Sequence, residues 1–248
     1  MKRILLLVCC AIFGLQVCHA QFTTKRITVA VGEFTGNYAE EMRSACLSSI
    51  PTHRVVVVDL NEAEMEDVDY IITGTTGEIT SVSKDFTGPL TGENYTIYVC
   101  SLSYTLKLTN AKTNEVEATH NFRSTGTDKD LDAATNGCFK MEEKELRQMI
   151  DKGCPIKVPV AALDEVKKDK AKTLVIDAGS TIGICEGMHF DIQAASTIAG
   201  RPYYKTIGAA KVKEVLADNL TVCEITKGNK EVNTAFNEGT SLILVSKE

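Results

Sequence analysis

Strict alternation of apolar and polar side chains over residues 98–108 sets the strongest limit on how this chain can fold. The apolar members occupy every second position: Tyr98, Cys100, Leu102, Tyr104, Leu106 and Leu108. Alternation over this length predicts a long antiparallel strand with one buried face. Residues 110–114 form a polar turn, and the pattern then returns through Val116, Ala118, His120 and Phe122. We therefore expect a long hairpin with one face in water.

Shorter patterns precede this hairpin. Residues 27–31 alternate as a first strand, and a helix follows with Tyr38, Met42, Cys46 and Ser49 on one face. Four consecutive valines at 55–58 favour a strand buried on both faces. We expect a short acidic helix at 61–67, a third strand running from Asp69 towards Val82, and a loop at 84–94 containing Gly88-Pro89 and Gly92.

A helical pattern covers residues 128–152, where Gly137 divides it and Gly153 with Pro155 ends it. The helix after the first strand allows strands one and two to pair in parallel, whereas the hairpin is antiparallel. Residues 21–155 therefore predict an α/β (α+β) sandwich with a mixed sheet.

Residues 156–248 have a different apolar pattern from residues 21–155. Short apolar groups alternate with glycine or charged clusters, which is typical of a small all-β barrel domain. The charged run at 167–170 is interpreted as a hairpin turn.

The first twenty residues predict export. A basic start, a short apolar run and small residues before Gln21 form a secretory signal, with cleavage after Ala20. A permanent amino-terminal anchor is the alternative. Cys9 and Cys18 each follow valine, which does not fit a lipoprotein signal. We expect a periplasmic mature chain without a membrane-spanning segment.

Net charge and cysteine spacing limit which partners, metals and disulfides we expect. The net charge of −6 argues against nucleic acid or an anionic membrane surface. No CxxC pair or zinc-type histidine spacing exists, so no metal is expected. Cys138 and Cys154 are the pair to test first for a disulfide, while buried free thiols are the alternative. Pairing is left open among the six cysteines of the mature chain: Cys46, Cys100, Cys138, Cys154, Cys185 and Cys223.

Several segments resemble known envelope proteins. Residues 27–34 (ITVAVGEF), 54–59 (RVVVVD), 69–74 (DYIITG) and the hairpin at 102–116 resemble the curli secretion lipoprotein family and the periplasmic activators of penicillin-binding proteins. Residues 173–190 and 208–215 are similar to the carboxy-terminal barrel of flagellar assembly protein T. The resemblance implies envelope proteins as partners, and the curli family implies a homo-oligomer. The chain departs from that family in lacking a lipobox, and its one stretch for a membrane hairpin, 79–99, is polar and interrupted.

Candidate chemistry is sparse. Among His53, His120 and His189, His120 lies on an apolar strand face and is expected to be a hydrogen-bonded structural residue. Cys185 with His189 is the one neighbouring nucleophile–base pair. The glycines at 74–77 and 179–183 lack the lysine of a phosphate loop. The acidic group Glu62, Glu64, Glu66, Asp67 and Asp69 lacks calcium-loop spacing.

We therefore predict no catalytic, cofactor-binding or metal-ligating residues. The expected function is that of an exported, non-catalytic cell-envelope accessory or assembly protein acting by protein–protein binding. One alternative is a subunit of a homo-oligomeric curli-type secretion assembly. Another is an exported cysteine hydrolase using Cys185 and His189.

Overall fold

A mixed sheet and a closed barrel make up the fold, as the sequence predicted. The computed structural model describes residues 22–52, 54–90 and 92–247, so the signal segment and His53 lie outside the described residues. The five-stranded sheet has the order β2-β1-β3-β4-β5. Its strands are β1 (Ile27–Gly36), β2 (Val55–Asp59), β3 (Tyr70–Thr87), β4 (Asn94–Asn110) and β5 (Val116–Asp128).

Three helices pack on one face of this sheet: α1 (Ala39–Ser49), α2 (Leu131–Asn136) and α3 (Glu143–Gly153). Met42 of α1 and Leu146 of α3 are fully buried against the strands. β1 pairs in parallel with both β2 and β3, whereas β3, β4 and β5 are antiparallel. The parallel crossover and the long hairpin are confirmed.

The loop predicted at 84–94 is wrong. β3 continues to Thr87 and β4 begins at Asn94, with Phe86 opposite Tyr95 in the ladder. Glycine and proline interrupt only the tip, while the threonine, tyrosine and valine residues on either side favour extended backbone.

Two smaller expectations also fail. β2 lies at the edge of the sheet, so Val56 is 43% exposed rather than buried on both faces. The connector helix is reduced to one 3-10 turn, Met65–Asp67. Consecutive valines cannot by themselves distinguish a central strand from an edge strand.

The barrel has the order β10-β7-β6-β11-β8-β9 and closes on itself. Its strands are β6 (Lys157–Lys167), β7 (Lys170–Ile176), β8 (His189–Ile198), β9 (Arg201–Ala217), β10 (Leu220–Lys227) and β11 (Leu242–Lys247). Apolar side chains such as Phe190 and Leu174 fill its core. The turn between β6 and β7 holds Lys168 and Asp169 at positive φ, as expected of a tight hairpin.

A helix that the sequence patterns did not predict, α4 (Asn229–Asn237), packs against β7 and β9 of the barrel. Asn229 Nδ2 donates to the carbonyls of Ala171 (2.6 Å) and Ile225 (3.2 Å). The boundary predicted at 155/156 falls between α3 and β6. Independent folding of the two parts stays a prediction.

Candidate functional site

Arg54 lies where the sheet meets the barrel. It immediately precedes β2, and its side chain is only 5% exposed. The guanidinium donates to Asp151 of α3, to the carbonyl of Cys154 (3.1 Å) and to Ser246 Oγ of β11 (3.3 Å). Gly183, at φ 86, presses against the Arg54 backbone, where an added Cβ would lie 2.9 Å from its carbonyl oxygen. One buried cation thus joins three elements.

A shallow pocket of about 270 Å³ opens beside Arg54. It brings Cys185 and His189, the predicted nucleophile–base pair, together with Asp151. The Cys185 backbone N–H lies 3.3 Å from Met188 Sδ, in a turn that positions Gly187 at φ 85. Within the described residues, no hydrogen bond joins the Cys185 thiol to the His189 imidazole. The pair therefore shares a pocket without the activating contact that cysteine catalysis uses.

Other candidates from the sequence are scattered. His120 is exposed and contacts the ring of Phe122 edge-on, with ring centroids 4.5 Å apart, and not through a hydrogen bond, so the prediction of a hydrogen-bonded structural histidine is wrong. His120 is exposed because it lies in β5, the strand at the edge of the sheet, which has a neighbouring strand on one side only. Asp69 accepts a hydrogen bond from the Thr28 N–H (3.0 Å) and forms an ion pair with Lys112 (3.4 Å). These contacts separate its role from that of the exposed acidic residues at 62–67.

The glycine segments are not phosphate loops. Gly74 lies inside β3, where an added Cβ would meet the Phe34 ring at 2.3 Å. Gly179 and Gly183 flank the 3-10 turn Ser180–Ile182. Across residues 22–247, apart from 53 and 91, no group of three or more histidine, cysteine or acidic residues is arranged to hold a metal ion.

All six cysteines beyond residue 21 are free thiols, so the Cys138–Cys154 disulfide is not formed. Cys185 is exposed and the other five are buried. Burial raises the pKa of the Cys46 thiol to about 12, against a smaller opposing effect of Arg43. Burial likewise raises the pKa of Cys223 to about 12.

The most exposed apolar feature is the extended β3–β4 hairpin, residues 82–99, which we call the arm. Leu90 at its tip is 98% exposed, Val82 58% and Phe86 42%. Phe86 and Tyr95 stack with ring centroids 5.8 Å apart, and Lys129 Nζ lies 4.4 Å from the Tyr95 ring centre. Several large apolar side chains exposed on one projecting hairpin favour an interaction site.

The arm also has an unpaired main-chain edge. β5 pairs with β4 only as far as Tyr98, which lies opposite Asp128. Residues 94–97 of β4 continue beyond that point, and no strand in the described part of the chain pairs with them on that side. Such an edge presents free N–H and C=O groups to another extended chain.

No protein-family model matches the chain, and no curated protein matches it at a significant level. Among solved structures, a PelC dodecamer from Paraburkholderia phytofirmans is 13% identical, with a TM-score of 0.32 over 48% of this chain and 87% of that chain. A minor lipoprotein from Acinetobacter baumannii is 10% identical, with a TM-score of 0.30 over 49% and 89%. Lipoprotein GNA1162 from Neisseria meningitidis is 11% identical, with a TM-score of 0.27 over 45% and 90%. Scores this low carry no argument, so the family resemblance stays a prediction.

Sequence reasoning missed the arm because Gly88-Pro89 and Gly92 made the whole segment read as a loop. The signal was nonetheless present: Val82 and Phe86 before the tip, and Tyr95, Ile97 and Val99 after it, recur at every second or fourth position. None of the helices described here has the length and apolar character needed to cross a bilayer.

Proposed function

We propose that this protein is an exported, non-catalytic accessory protein of the cell envelope that binds other envelope proteins through its arm. The unpaired edge at 94–97 beside exposed Phe86 and Leu90 carries the proposal. The signal pattern of residues 1–20 supports export. The affinity capture described below is designed to identify the partner.

Strand addition is the binding mode that this geometry fits. An extended segment of the partner would hydrogen-bond to the main chain of residues 94–97, while its side chains would contact the arm's apolar residues. Tyr95 is well suited to this contact because it offers a large ring surface and a polar end. Nothing in this mode uses bond making or breaking, and the Cys185–His189 pair has no part in it.

Affinity capture tests the proposal. The chain from Gln21 onward is immobilised in three forms: wild type, Phe86→Ser with Leu90→Ser, and Ile198→Ser as a control. Ile198 is 58% exposed on the β8–β9 hairpin, so its loss removes exposed apolar surface from another projection. We expect envelope proteins retained by the wild type and the control to be lost from the arm variant.

Retention of the same proteins by all three forms would contradict the proposal. Light scattering on the purified chain addresses the alternative of a homo-oligomeric secretion assembly. If the arm substitutions dissociated a stable ring, the partner of the arm would be a second copy of this chain and not another envelope protein.

A further inference from the structure

The pocket beside Arg54 contains a turn, residues 185–189, that the proposed function does not use. Its sequence, Cys-Glu-Gly-Met-His, carries a thiol, a thioether and an imidazole on a short piece of chain. Cys185, Met188 and His189 all line the pocket, whose volume is about 270 Å³. Side chains with sulfur and nitrogen donors therefore face one small cavity.

Main-chain hydrogen bonds fix the conformation of this turn. The Gly187 N–H donates to the carbonyl of Val212 in β9 (3.0 Å), and the Val212 N–H donates to the carbonyl of Met188 (2.8 Å). Gly187, at φ 85, allows the chain to reverse between Cys185 and β8. The donor side chains are thus carried on backbone that is already positioned, which lowers the conformational entropy lost when a ligand binds.

The Met188 side chain folds back over the turn. Its Sδ accepts a hydrogen bond from the Cys185 N–H (3.3 Å), so the thioether sulfur lies beside the residue that carries the thiol. The rest of the Met188 side chain packs against the barrel core. Cys185 is exposed, in contrast to the other five free cysteines beyond residue 21. A thioether sulfur is only a weak hydrogen-bond acceptor, so this contact leaves it able to bind a metal ion.

Basic and acidic groups around the pocket balance one another. Its ion pairs join Arg54 and Arg147 to Asp151, and Lys247 to Asp191. Glu186 adds an exposed carboxylate to the pocket lining. Lys211 lies opposite His189 in the barrel ladder and has Glu224 opposite it in the next strand. The pocket therefore has no excess of positive charge that would repel a cation.

The donor types select one class of metal ion. Zinc sites use three or four protein ligands drawn from cysteine, histidine and acidic residues, and no such group of three is arranged among residues 22–52, 54–90 and 92–247. Calcium and magnesium require oxygen ligands. Thiolate and thioether sulfur select Cu(I), and imidazole also binds copper. Zinc-type spacing of cysteine and histidine does not include methionine, so this donor set is not evident from that spacing.

We propose that Cys185, Met188 and His189 bind Cu(I) through two sulfur atoms and one imidazole nitrogen. The metal ion replaces the proton of the Cys185 thiol, and that proton passes to solvent. The ion binds in its reduced state, so binding itself transfers no electron. This site is separate from the arm and goes beyond the binding of envelope proteins.

Competition with a chromogenic Cu(I) chelator, under oxygen-free conditions, tests the proposal on the chain from Gln21 onward. The wild type should withdraw one equivalent of copper from the chelator, and Cys185→Ser should abolish this withdrawal. Met188→Leu and His189→Gln should each weaken binding by about tenfold or more, since loss of even a supporting residue costs a metal site that much. Undiminished binding by Cys185→Ser would overturn the proposal.

Matched controls change the same residue types elsewhere in the molecule. Met65 is 53% exposed and His120 is also exposed. Met65→Leu and His120→Gln should therefore bind copper as the wild type does, and losses equal to those of the site variants would overturn the proposal. Light scattering should show one chain for each bound ion. An ion shared between two chains would contradict a site built from one turn.

Two further measurements test the donors and the metal. X-ray absorption at the copper edge should show fewer sulfur neighbours in Met188→Leu than in the wild type; unchanged coordination would exclude the thioether and overturn the three-donor site. Zn(II) that bound more tightly than Cu(I) would overturn the assignment to a soft ion. Phe86→Ser with Leu90→Ser should leave copper binding intact, so failure of this inference and failure of the proposed function are distinguishable.

Discussion

Arg54, just before β2, donates a hydrogen bond from its guanidinium to the carboxylate of Asp151 in α3. The same guanidinium also donates to Ser246 Oγ in the barrel. Two parts of the molecule that are 97 residues apart in sequence are thus joined by one nearly buried ion pair. Ser246 Oγ also accepts the Ile156 N–H (2.9 Å), which ties the first residue after the predicted boundary into the same network.

Arg54→Met should lower the free energy of unfolding by about 3 kcal/mol. It removes the buried partner of the Asp151 carboxylate and leaves that carboxylate only the half-exposed Arg147, whose Nε lies 3.7 Å away. Chemical denaturation measures this loss. Lys25→Met serves as the control, since Lys25 meets Asp69 at 3.9 Å with over half of its side chain exposed; its cost should be within about 1 kcal/mol. Equal, small losses in both variants would show that the Arg54 network does not stabilise the fold.

Acid should weaken the fold partly through Asp59. The hydrogen bond from Arg43, followed by the Asn61 N–H, lowers the pKa of the Asp59 carboxyl below its ordinary value of 3.8. Its stabilisation is therefore complete above that value and is lost as pH falls through the lowered folded-state pKa. Asp59→Asn should flatten the fall in unfolding free energy between about pH 5 and about pH 2. A wild-type slope in the Asp59 variant would refute the assignment.

Thiol reactivity should single out Cys185. It is the exposed cysteine, while Cys46 and Cys223 are buried with pKa values raised to about 12. A disulfide exchange reagent at about pH 8 should modify one thiol quickly in the native chain from Gln21 and the other five only after unfolding. Cys185→Ser should abolish the fast phase. Several fast thiols, or fewer than six in denaturant, would contradict the burial or the free state of these cysteines.

Gly74→Ala should cost about 1–3 kcal/mol, because the added Cβ would lie 2.3 Å from the Phe34 ring. Gly77→Ala on the same strand, where the nearest atom is the Ser103 carbonyl oxygen at 3.2 Å, should cost less. Phe34→Leu should offset part of the Gly74 effect in a double-mutant cycle. Additive costs would mean that the ring is not the obstacle.

Periodicity predicted the strands well where packing enforces it. Leu102 and Leu106 are fully buried, and their alternation alone predicts β4. The same reasoning wrongly predicted that the valines of β2 are buried on both faces, because propensity does not report which strand has a neighbour on each side. α4 is only nine residues long, and its first residue, Asn229, donates to the carbonyl of Ala171, which is 58 residues away in the sequence.

The candidate sites were harder to predict. Phe86 and Tyr95 become one aromatic pair only when the hairpin is extended, and Gly88-Pro89 suggested the opposite. Met188 is absent from zinc-type ligand spacings, and only the folded turn brings its Sδ to the Cys185 N–H. The sequence spacing correctly indicated that Cys185 and His189 lie close together, since both line one pocket. Spacing alone could not show that the two side chains do not form a hydrogen bond.

A photo-crosslinking side chain at position 90, placed in the full protein in the cell that makes it, tests the central claim most directly. Position 198 is the matched site on the other exposed hairpin. Binding through the arm predicts discrete crosslinked products at position 90 that are absent at 198 and are lost with Phe86→Ser. No product at position 90, or the same products at both positions, would contradict binding through the arm.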